Sequence, residues 1–434
     1  MSFLPSLTPG NVPQHLPPNN KYRYKRKKWS RPSGWLDLNV PNGTPEKIMG
    51  IIAVFPEEKS ATNYLPLKLT ISNSQSYSIN WGDGNTETVA SGTTINHYYE
   101  YDNITSDSST TKATLFRGYK QVKFEITLPA GQNLTAIELP LNAAYNPGYT
   151  NNAMRRGANI LDLFVSSSNC TSTLISGSIP LKMCEQLEVR NTPSNRLLNP
   201  NVIYRGMSSL QSIPFVPWIY NGGSRSYAYA FFNCKSLIFL PDDFADPDKF
   251  WLKNPNSCLQ TFEGCANLEY LPEGLFGDSV LSLCSSFRSC FKQCRSLRRI
   301  PKILIRTNSN VDFRNMFEFM TNLKAIPKGF DLTQDNNGIL SIFNTCTNLI
   351  DVSEIDLSKI TLTRSAGYAF ANWDNFTEFP WMGSNFNFVS NGIGMFQNSQ
   401  SITGFAPEYT TLEFTNATNL KNMFRDCLSI EKLP

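Results

Sequence analysis

Short runs of β-branched and aromatic residues, divided by Gly, Asn, Ser and Pro, occupy the chain from residue 35 to about residue 130. Runs of this length and composition predict β-strands, and the residues between them predict chain reversals. We therefore expect an antiparallel β-sandwich of short strands in this part of the chain. The predicted strands are Ile48–Phe55, Leu65–Ile71, Tyr77–Trp81, Lys112–Phe116 and Val122–Leu128.

A repeat replaces this pattern from about residue 200. Its unit is an aromatic residue, then Cys or a substitute three residues later, then Leu, and finally Leu or Ile before Pro, as in Phe262 to Pro272. The Cys position recurs at a mean spacing of about 27.5 residues, inside the range of leucine-rich repeats. One such unit cannot bury its apolar face alone, so we expect a stacked solenoid with interior ladders of Phe, Cys and Leu. The Cys position holds Met207, Cys234, Cys265, Cys294, Met320, Cys346, Trp373, Ser399 and Cys427, with weaker copies at 133–140 and 184–187.

The cysteines at this repeated position are interpreted as packing residues. The position also accepts Met and Trp, which indicates selection for apolar filling and not for metal ligation. Cys284, Cys290 and Cys294 lie close together in sequence, but they lack a nearby His and do not have a zinc spacing. We therefore expect reduced thiols and no metal site.

Few residues point to catalysis. The chain has only two His, and no Gly-rich phosphate loop, nucleophile elbow or carboxylate pair stands out. Asp83 and His97 could form a catalytic pair, but a buried structural His is the interpretation that we favour. An acidic loop misses the calcium-loop spacing and is interpreted as a solvated turn, with calcium binding as the alternative. Its acids are Asp242, Asp243, Asp246 and Asp248. We expect no cofactor and a protein that is not an enzyme.

The first 31 residues form a basic, Pro-rich arm. They contain seven Lys and Arg residues and no acid, whereas the whole chain has a net charge of only +4. Such a block predicts an arm that docks on a neighbouring protein, with a flexible tail as the alternative and nucleic-acid binding less favoured. We also expect the protein to be oligomeric in its assembly. The candidate docking residues are Lys21, Arg23, Lys25, Arg26, Lys27, Lys28, Trp29 and Arg31.

No membrane insertion and no export signal are expected. The longest apolar run, Ile48–Phe55, has eight residues, whereas a bilayer-spanning helix needs about 20. The start of the chain lacks the basic and then apolar order of a signal peptide, which predicts folding in a reducing cytoplasm. The last repeat is regular as far as Pro434. We therefore expect another chain, or further sequence of this protein, to cover its end face.

The stretch Trp81-Gly82-Asp83-Gly84, followed by His97-Tyr98-Tyr99, is the most compact motif of the first half. Gly permits positive φ, and Asp can bond to nearby backbone N–H groups, so these residues predict a tight turn. The motif resembles that of the PKD (polycystic-kidney-disease) domain, although it lacks the Phe of the W-x-F-G-D-G pattern. The resemblance implies an immunoglobulin-like sandwich that serves as a spacer or adhesion module, with this turn as a structural element.

The repeats resemble the Cys-containing leucine-rich repeats of bacterial surface antigens. The whole layout, including the Trp-Leu lead-in at Arg31–Leu38, is similar to structural proteins of tailed bacteriophages. The resemblance implies an anchoring arm at 1–34, a PKD-like sandwich at 35–130 and a leucine-rich-repeat solenoid at 131–434. It implies a virion protein of the tail, tail fibre or baseplate, assembled in the host cytoplasm. The solenoid would recognise a host receptor, a glycan or a partner protein. The alternatives are a bacterial surface adhesin and a tail-associated polysaccharide-processing enzyme.

Overall fold

The computed structural model describes residues 30–32, 34–40, 46–56, 63–104, 118–138, 159–167, 172–174, 183–191, 204–213, 226–241, 255–276, 283–303, 311–326, 330, 332, 338–352, 365–379 and 390–433. The chain divides into two units between residues 33 and 34, and only residues 30–32 of the first unit are described. The candidate docking residues from Lys21 to Trp29, the predicted strand Lys112–Phe116 and the acidic loop 242–248 lie outside the described residues.

The described chain is mainly β, which confirms the predicted class. Its described helical segments are two short 3-10 turns, Ser72–Ser74 and Tyr101–Asn103. Among the described residues, no helix is long and apolar enough to cross a bilayer. The strands are β1 Lys47–Val54, β2 Tyr64–Ile71, β3 Ser76–Asn80, β4 Thr86–Ala90, β5 Thr94–Tyr98, β6 Lys120–Thr127, β7 Leu134–Glu138, β8 Ile160–Ser167, β9 Ser172–Leu174, β10 Gln186–Asn191, β11 Glu378–Phe379 and β12 Gly404–Phe405.

Strands β1 to β10 form two sheets. One has the order β10-β8-β1-β6-β3-β4 and the other has the order β5-β2-β7-β9. Most neighbours are antiparallel, as the short strands and turns predict, but β8 pairs with β10, and β7 with β9, in parallel. Strands β7 to β10 follow residue 130 in the chain and nevertheless belong to these sheets. The arrangement is therefore mixed and not wholly antiparallel, and β8 is buried along its whole length, as expected for a strand covered on both faces.

Apolar side chains from both sheets belong to one buried core. In β2, Leu65, Leu67 and Leu69 are buried at alternate positions, because successive side chains of a strand point to opposite faces. Ile79 of β3 and Phe124 of β6 lie in the same cluster. This core holds the turn between β3 and β4 in place.

Strand β10 connects the sheets to the repeats. Gln186 pairs with Asp162 of β8 and also forms a parallel bridge with Ser212, in the first clear repeat. Cys184 and Leu187, the weaker repeat copy, are both buried there. Since β8 is antiparallel to β1 and parallel to β10, pairing changes direction at β8.

The repeat units stack on one another, and each unit, for example residues 255–276, is termed a coil below. Alternate backbone N–H groups of one coil donate to carbonyl groups of the next, while the N–H groups between them bond within their own coil. Between two central coils, four such bonds of 2.7 to 2.9 Å are present. The donors are Cys258, Gln260, Phe262 and Gly264, and the acceptors are Ser286, Arg288, Cys290 and Lys292.

Aromatic rings of the repeat form a ladder inside the stack. Each ring is nearly parallel to the next, and successive centroids lie 4.9 to 6.2 Å apart. Offset stacking at these separations is favourable beyond the burial of area. The rings belong to Tyr204, Phe231, Phe262, Phe291, Phe317, Phe343, Phe370, Phe396 and Phe424.

Candidate functional site

The Trp-Gly-Asp-Gly motif forms the turn of the β3–β4 hairpin. Trp81 N–H donates to the Asn85 carbonyl at 3.0 Å, and Gly82 N–H donates to Asn80 Oδ1 at 2.9 Å. Gly82 has a φ of +81°, and a Cβ there would overlap the backbone carbonyl of Lys123 in β6. Gly84 also has a positive φ, +97°, but it faces open space. The first glycine is thus required by packing as well as by backbone conformation.

Asp83 and His97 are brought together beside this turn. His97 Nε2 lies 2.7 Å from Asp83 Oδ2, and their side chains are 9% and 7% exposed. The His97 imidazole stacks on the Trp81 ring, with the ring centroids 4.3 Å apart. The Tyr99 ring meets the imidazole edge-on, with centroids 4.7 Å apart. Tyr99 Oη–H donates to the Trp81 carbonyl at 3.3 Å. The sequence motif is therefore one buried cluster.

The acceptor capacity of Asp83 is used within the turn. Asn85 donates its backbone N–H to Oδ1 at 3.0 Å and its side-chain amide to Oδ2 at 3.3 Å. Burial favours a raised pKa for the Asp83 carboxyl, but the hydrogen bonds from His97 and Asn85 and the His97 charge lower that pKa overall. No nucleophilic side chain is a hydrogen-bond partner of His97 within the described residues. The hydrogen bond between Asp83 and His97 therefore joins the hairpin turn to β5.

The repeated Cys position has a role beyond the apolar filling inferred from its substitutions. Cys265 Sγ lies 3.1 Å from the carbonyl oxygen of Phe231, the aromatic residue of the preceding coil. Ser399 Oγ and Trp373 Nε1 make the same bond to Phe370 and Phe343, at 3.1 and 3.3 Å. These residues are buried, as packing residues should be, and the hydrogen bond is an additional contact that the sequence did not predict. Each is a second donor, because the Phe231 carbonyl, for example, already accepts the Cys234 N–H at 3.0 Å and a carbonyl oxygen has two lone pairs. The remaining Cys donors are Cys234, Cys294, Cys346 and Cys427.

All described cysteines are free thiols. Burial raises the pKa of Cys234, Cys265, Cys294 and Cys346 above the usual thiol value, so these groups remain protonated donors. Among the described residues, no group of three or more His, Cys, Asp or Glu is placed to hold a metal ion.

A row of polar side chains crosses several coils on one side of the stack. Asn398 donates to Asn372 at 3.3 Å, Asn372 to Asn344 at 3.2 Å, and Asn344 to Glu318 at 3.3 Å. Lys292 Nζ pairs with Glu318 at 2.6 Å, and this carboxylate is largely buried. The row joins neighbouring coils through side chains as well as through backbone.

The predicted lead-in is attached to β6. Trp35 and Leu38 are buried, and Leu36 N–H donates to Gln121 Oε1 at 2.9 Å. Gln121 Nε2 in turn donates to the Gly34 carbonyl at 2.8 Å. Arg31 is half-buried and is the described member of the candidate docking set. Gln121 was missed by sequence reasoning, since a Gln within a strand pattern carries no distinguishing signal.

A second missed feature is the residue just before each Cys position. It has a positive φ in every described coil, between +60° and +78°. Asn, Gly and Asp tolerate this conformation best, and their frequency at this position is the signal that could have revealed it. These residues are Gly206, Asn233, Gly264, Gln293, Phe319, Thr345, Asn372, Asn398 and Asp426.

Comparison of the chain with protein-family models, with curated proteins and with solved structures finds no match.

Proposed function

We propose that the two sheets are an immunoglobulin-type sandwich of the PKD kind and that the coils are a leucine-rich-repeat solenoid. The first assignment is supported by the Trp81–Gly84 turn with its buried His97 partner. The second is supported by the parallel bridges between coils and by the stacked aromatic ladder. An experimental structure of the full chain tests both assignments, and sheets without a common core would contradict the first.

We further propose that the protein is a non-enzymatic structural and adhesion component of a phage particle, in the tail, fibre or baseplate. The observation that supports this proposal most is that, in the part of the chain that the structure describes, the Asp83–His97 pair and the repeat thiols are engaged internally. Asp83 and His97 bond to each other, and the repeat thiols bond to buried carbonyls. Such groups hold a rigid surface together, and a rigid repeat array suits recognition of an extended partner.

The basic arm is the proposed contact with other virion proteins, and the coils are the proposed contact with a host receptor, glycan or fibre. Seven positive charges on a Pro-rich arm fit an acidic socket. Prolines also reduce the freedom of the unbound arm, which lowers the ordering penalty on docking.

Mass spectrometry of purified particles tests the virion assignment directly. We expect the full chain in the particles, and its absence would overturn the proposal. A variant lacking residues 1–31 should keep the circular-dichroism spectrum of the remaining chain but should no longer be incorporated. The control is a full-length variant in which the arm's Lys and Arg are replaced by Gln, which separates the effect of charge from that of length. Normal incorporation of the deletion variant would contradict the role of the arm.

A further inference from the structure

The coil at 283–303 is the most basic of the described coils. It contains six Lys and Arg residues and no Asp or Glu. Arg295 and Arg298 of this coil are exposed, and so is Lys324 of the following coil. Within the part of the chain that the structure describes, none of these three side chains forms an ion pair, unlike Lys292 of the same coil. We term Arg295, Arg298 and Lys324 the basic patch.

Backbone hydrogen bonds place the patch within a row of residues that crosses several coils. The Lys324 N–H donates to the Arg298 carbonyl at 3.2 Å, and the Ile350 N–H donates to the Lys324 carbonyl at 3.0 Å. Ile350 is 62% exposed, although it is apolar. Glu269 occupies the same repeat position in the coil before Arg298 and is also exposed. The row therefore presents an acid, two bases and an apolar side chain in turn.

The repeat fold does not require these charges. Leu297 and Ile300 supply the buried contacts of this segment, whereas the exposed positions of the patch hold neutral residues in most other coils. Like charges at adjacent positions of neighbouring strands are destabilising, so Arg298 and Lys324 oppose folding of the free chain. Charges without a structural role are expected where a surface meets a partner of opposite charge. The neutral equivalents are Gln211, Ile238, Ile350, Thr377 and Thr403 for Arg298 and Lys324, and Ser208, Ala266, Thr321, Thr347 and Gln400 for Arg295.

We propose that the basic patch binds an acidic segment of a partner protein, which also places an apolar side chain against Ile350. Carboxylates of the segment would pair with the two guanidinium groups, whose planar forks match a carboxylate in two hydrogen bonds, and with the Lys324 ammonium. This inference rests on the partner role that the proposed function gives to the coils, and it specifies the chemistry of that partner.

The residues beside the patch favour a protein over a polyanion such as a phosphate polymer. A chain of uniform negative charge that continued past Arg298 would meet the Glu269 carboxylate, whereas a protein segment can carry a neutral or basic residue there. Ile350 offers a polyanion no favourable contact. Protein interfaces combine apolar contacts with Arg side chains, which are enriched in them.

Peptide binding to the full chain tests the chemistry of the patch. The probe is a fluorescein-labelled synthetic peptide in which Glu residues and one Leu alternate with Gly, so that an extended conformation directs the Glu and Leu side chains to one face. Fluorescence anisotropy should show saturable binding that weakens with added salt. A peptide with Gln in place of Glu, and inorganic polyphosphate, should bind at least about tenfold more weakly. Failure of the Glu peptide to bind, or tighter binding of polyphosphate, would overturn the proposal.

Charge variants locate the binding. Arg298→Glu combined with Lys324→Glu should weaken binding of the Glu peptide by about tenfold or more, because like charges would then face each other. The matched control combines Lys235→Glu with Lys421→Glu, which changes the net charge equally at exposed positions outside the patch. Equal losses in the two variants would reduce the effect to net charge and overturn the proposal. Ile350→Ser should weaken binding without changing its salt dependence, and an unchanged affinity would remove the apolar contact.

Thermal melting separates a binding role from a structural one. Arg298→Gln combined with Lys324→Gln should leave the melting temperature unchanged or raise it, since it removes repulsion between neighbouring coils. A clear decrease would show that the two charges stabilise the fold and would overturn the argument for a partner.

Carbodiimide cross-linking of purified particles identifies the occupant, because this reagent joins a Lys amine directly to a carboxylate in contact with it. A link from Lys324 to an Asp or Glu of a different protein supports the proposal. A link to a second copy of the chain, or no link in particles that contain the chain, would overturn it. Absence of the chain from the particles would instead refute the virion assignment and leave the peptide result standing.

Discussion

Replacing Gly82 by Ala is the sharpest test of the turn beside His97. Gly82 has a φ of +81°, and an added Cβ would overlap the Lys123 carbonyl and approach within 2.9 Å of Val122 Cγ1. Two penalties therefore combine. A left-handed conformation of a residue with a Cβ is unfavourable by about 1–2 kcal/mol. Relief of the overlap requires movement of β6 backbone, since a carbonyl cannot rotate away as a flexible side chain can.

We expect Gly82→Ala to lower the free energy of unfolding by more than about 4 kcal/mol, which is exceptional for a single substitution. Gly84→Ala is the matched control, because Gly84 has a similar φ of +97° but nothing within 4 Å of an added Cβ. The control should lose only the conformational part, about 1–2 kcal/mol. Urea unfolding followed by tryptophan fluorescence measures both losses, and amide exchange in β6 locates them. Equal losses in the two variants would refute the packing argument.

Other consequences follow for the core, the thiols and the carboxylate. Cys265→Ala should destabilise the fold by about 1–2 kcal/mol. Cys265→Ser should recover part of this loss, because Ser can donate to the Phe231 carbonyl as Ser399 donates to the Phe370 carbonyl. A Ser variant that melts at a lower temperature than the Ala variant would argue that the position only fills space. Reducing agent should leave the melting temperature unchanged, since all described cysteines are free; a clear decrease would indicate a disulfide. The folded-state pKa of Asp83 is lowered below the usual 3.8, so its stabilisation is complete above the unfolded pKa and is lost as the pH falls through the folded value. Asp83→Asn should therefore be less stable at neutral pH and flatter in acid melts, and an unchanged acid profile would show that the carboxylate contributes little.

Strand positions could be predicted from the sequence because short runs of β-branched and aromatic residues, divided by turn residues, favour strands. The predicted strand Leu65–Ile71 lies within β2, and the prediction Ile48–Phe55 differs from β1 by one residue at each end. The aromatic and Cys positions of the repeat were accessible for a similar reason, since the same residue types recur at one place in every coil. Both patterns report which side chains face the core.

Strand pairing and polar contacts were harder to predict from the sequence. Nothing in the sequence of β8 shows that its two neighbours run in opposite directions. The bond between Asp83 and His97 joins residues 14 positions apart, one in the β3–β4 turn and the other in β5. The donor role of the Cys position was hidden because Met207 and Met320 fill the same place without donating. In physical terms, burial leaves a regular trace in sequence, whereas a hydrogen bond depends on the direction of one backbone carbonyl.

The prevailing direction of the coil-to-coil hydrogen bonds gives the stack an electrical polarity. The peptide group between Leu259 and Gln260 accepts from Tyr229 in the preceding coil and donates to Arg288 in the following coil. Its dipole therefore lies along the stack. Between these two central coils, four N–H groups donate to the following coil, and two, those of Ser285 and Ser296, donate to the preceding coil. Each aligned peptide group contributes about 3.5 D, whereas dipoles in ordinary sheets largely cancel. Within the described coils, the positive direction of this dipole runs from the coil of Tyr204 towards the coil of Asp426. Two such arrays placed side by side would attract when antiparallel and repel when parallel.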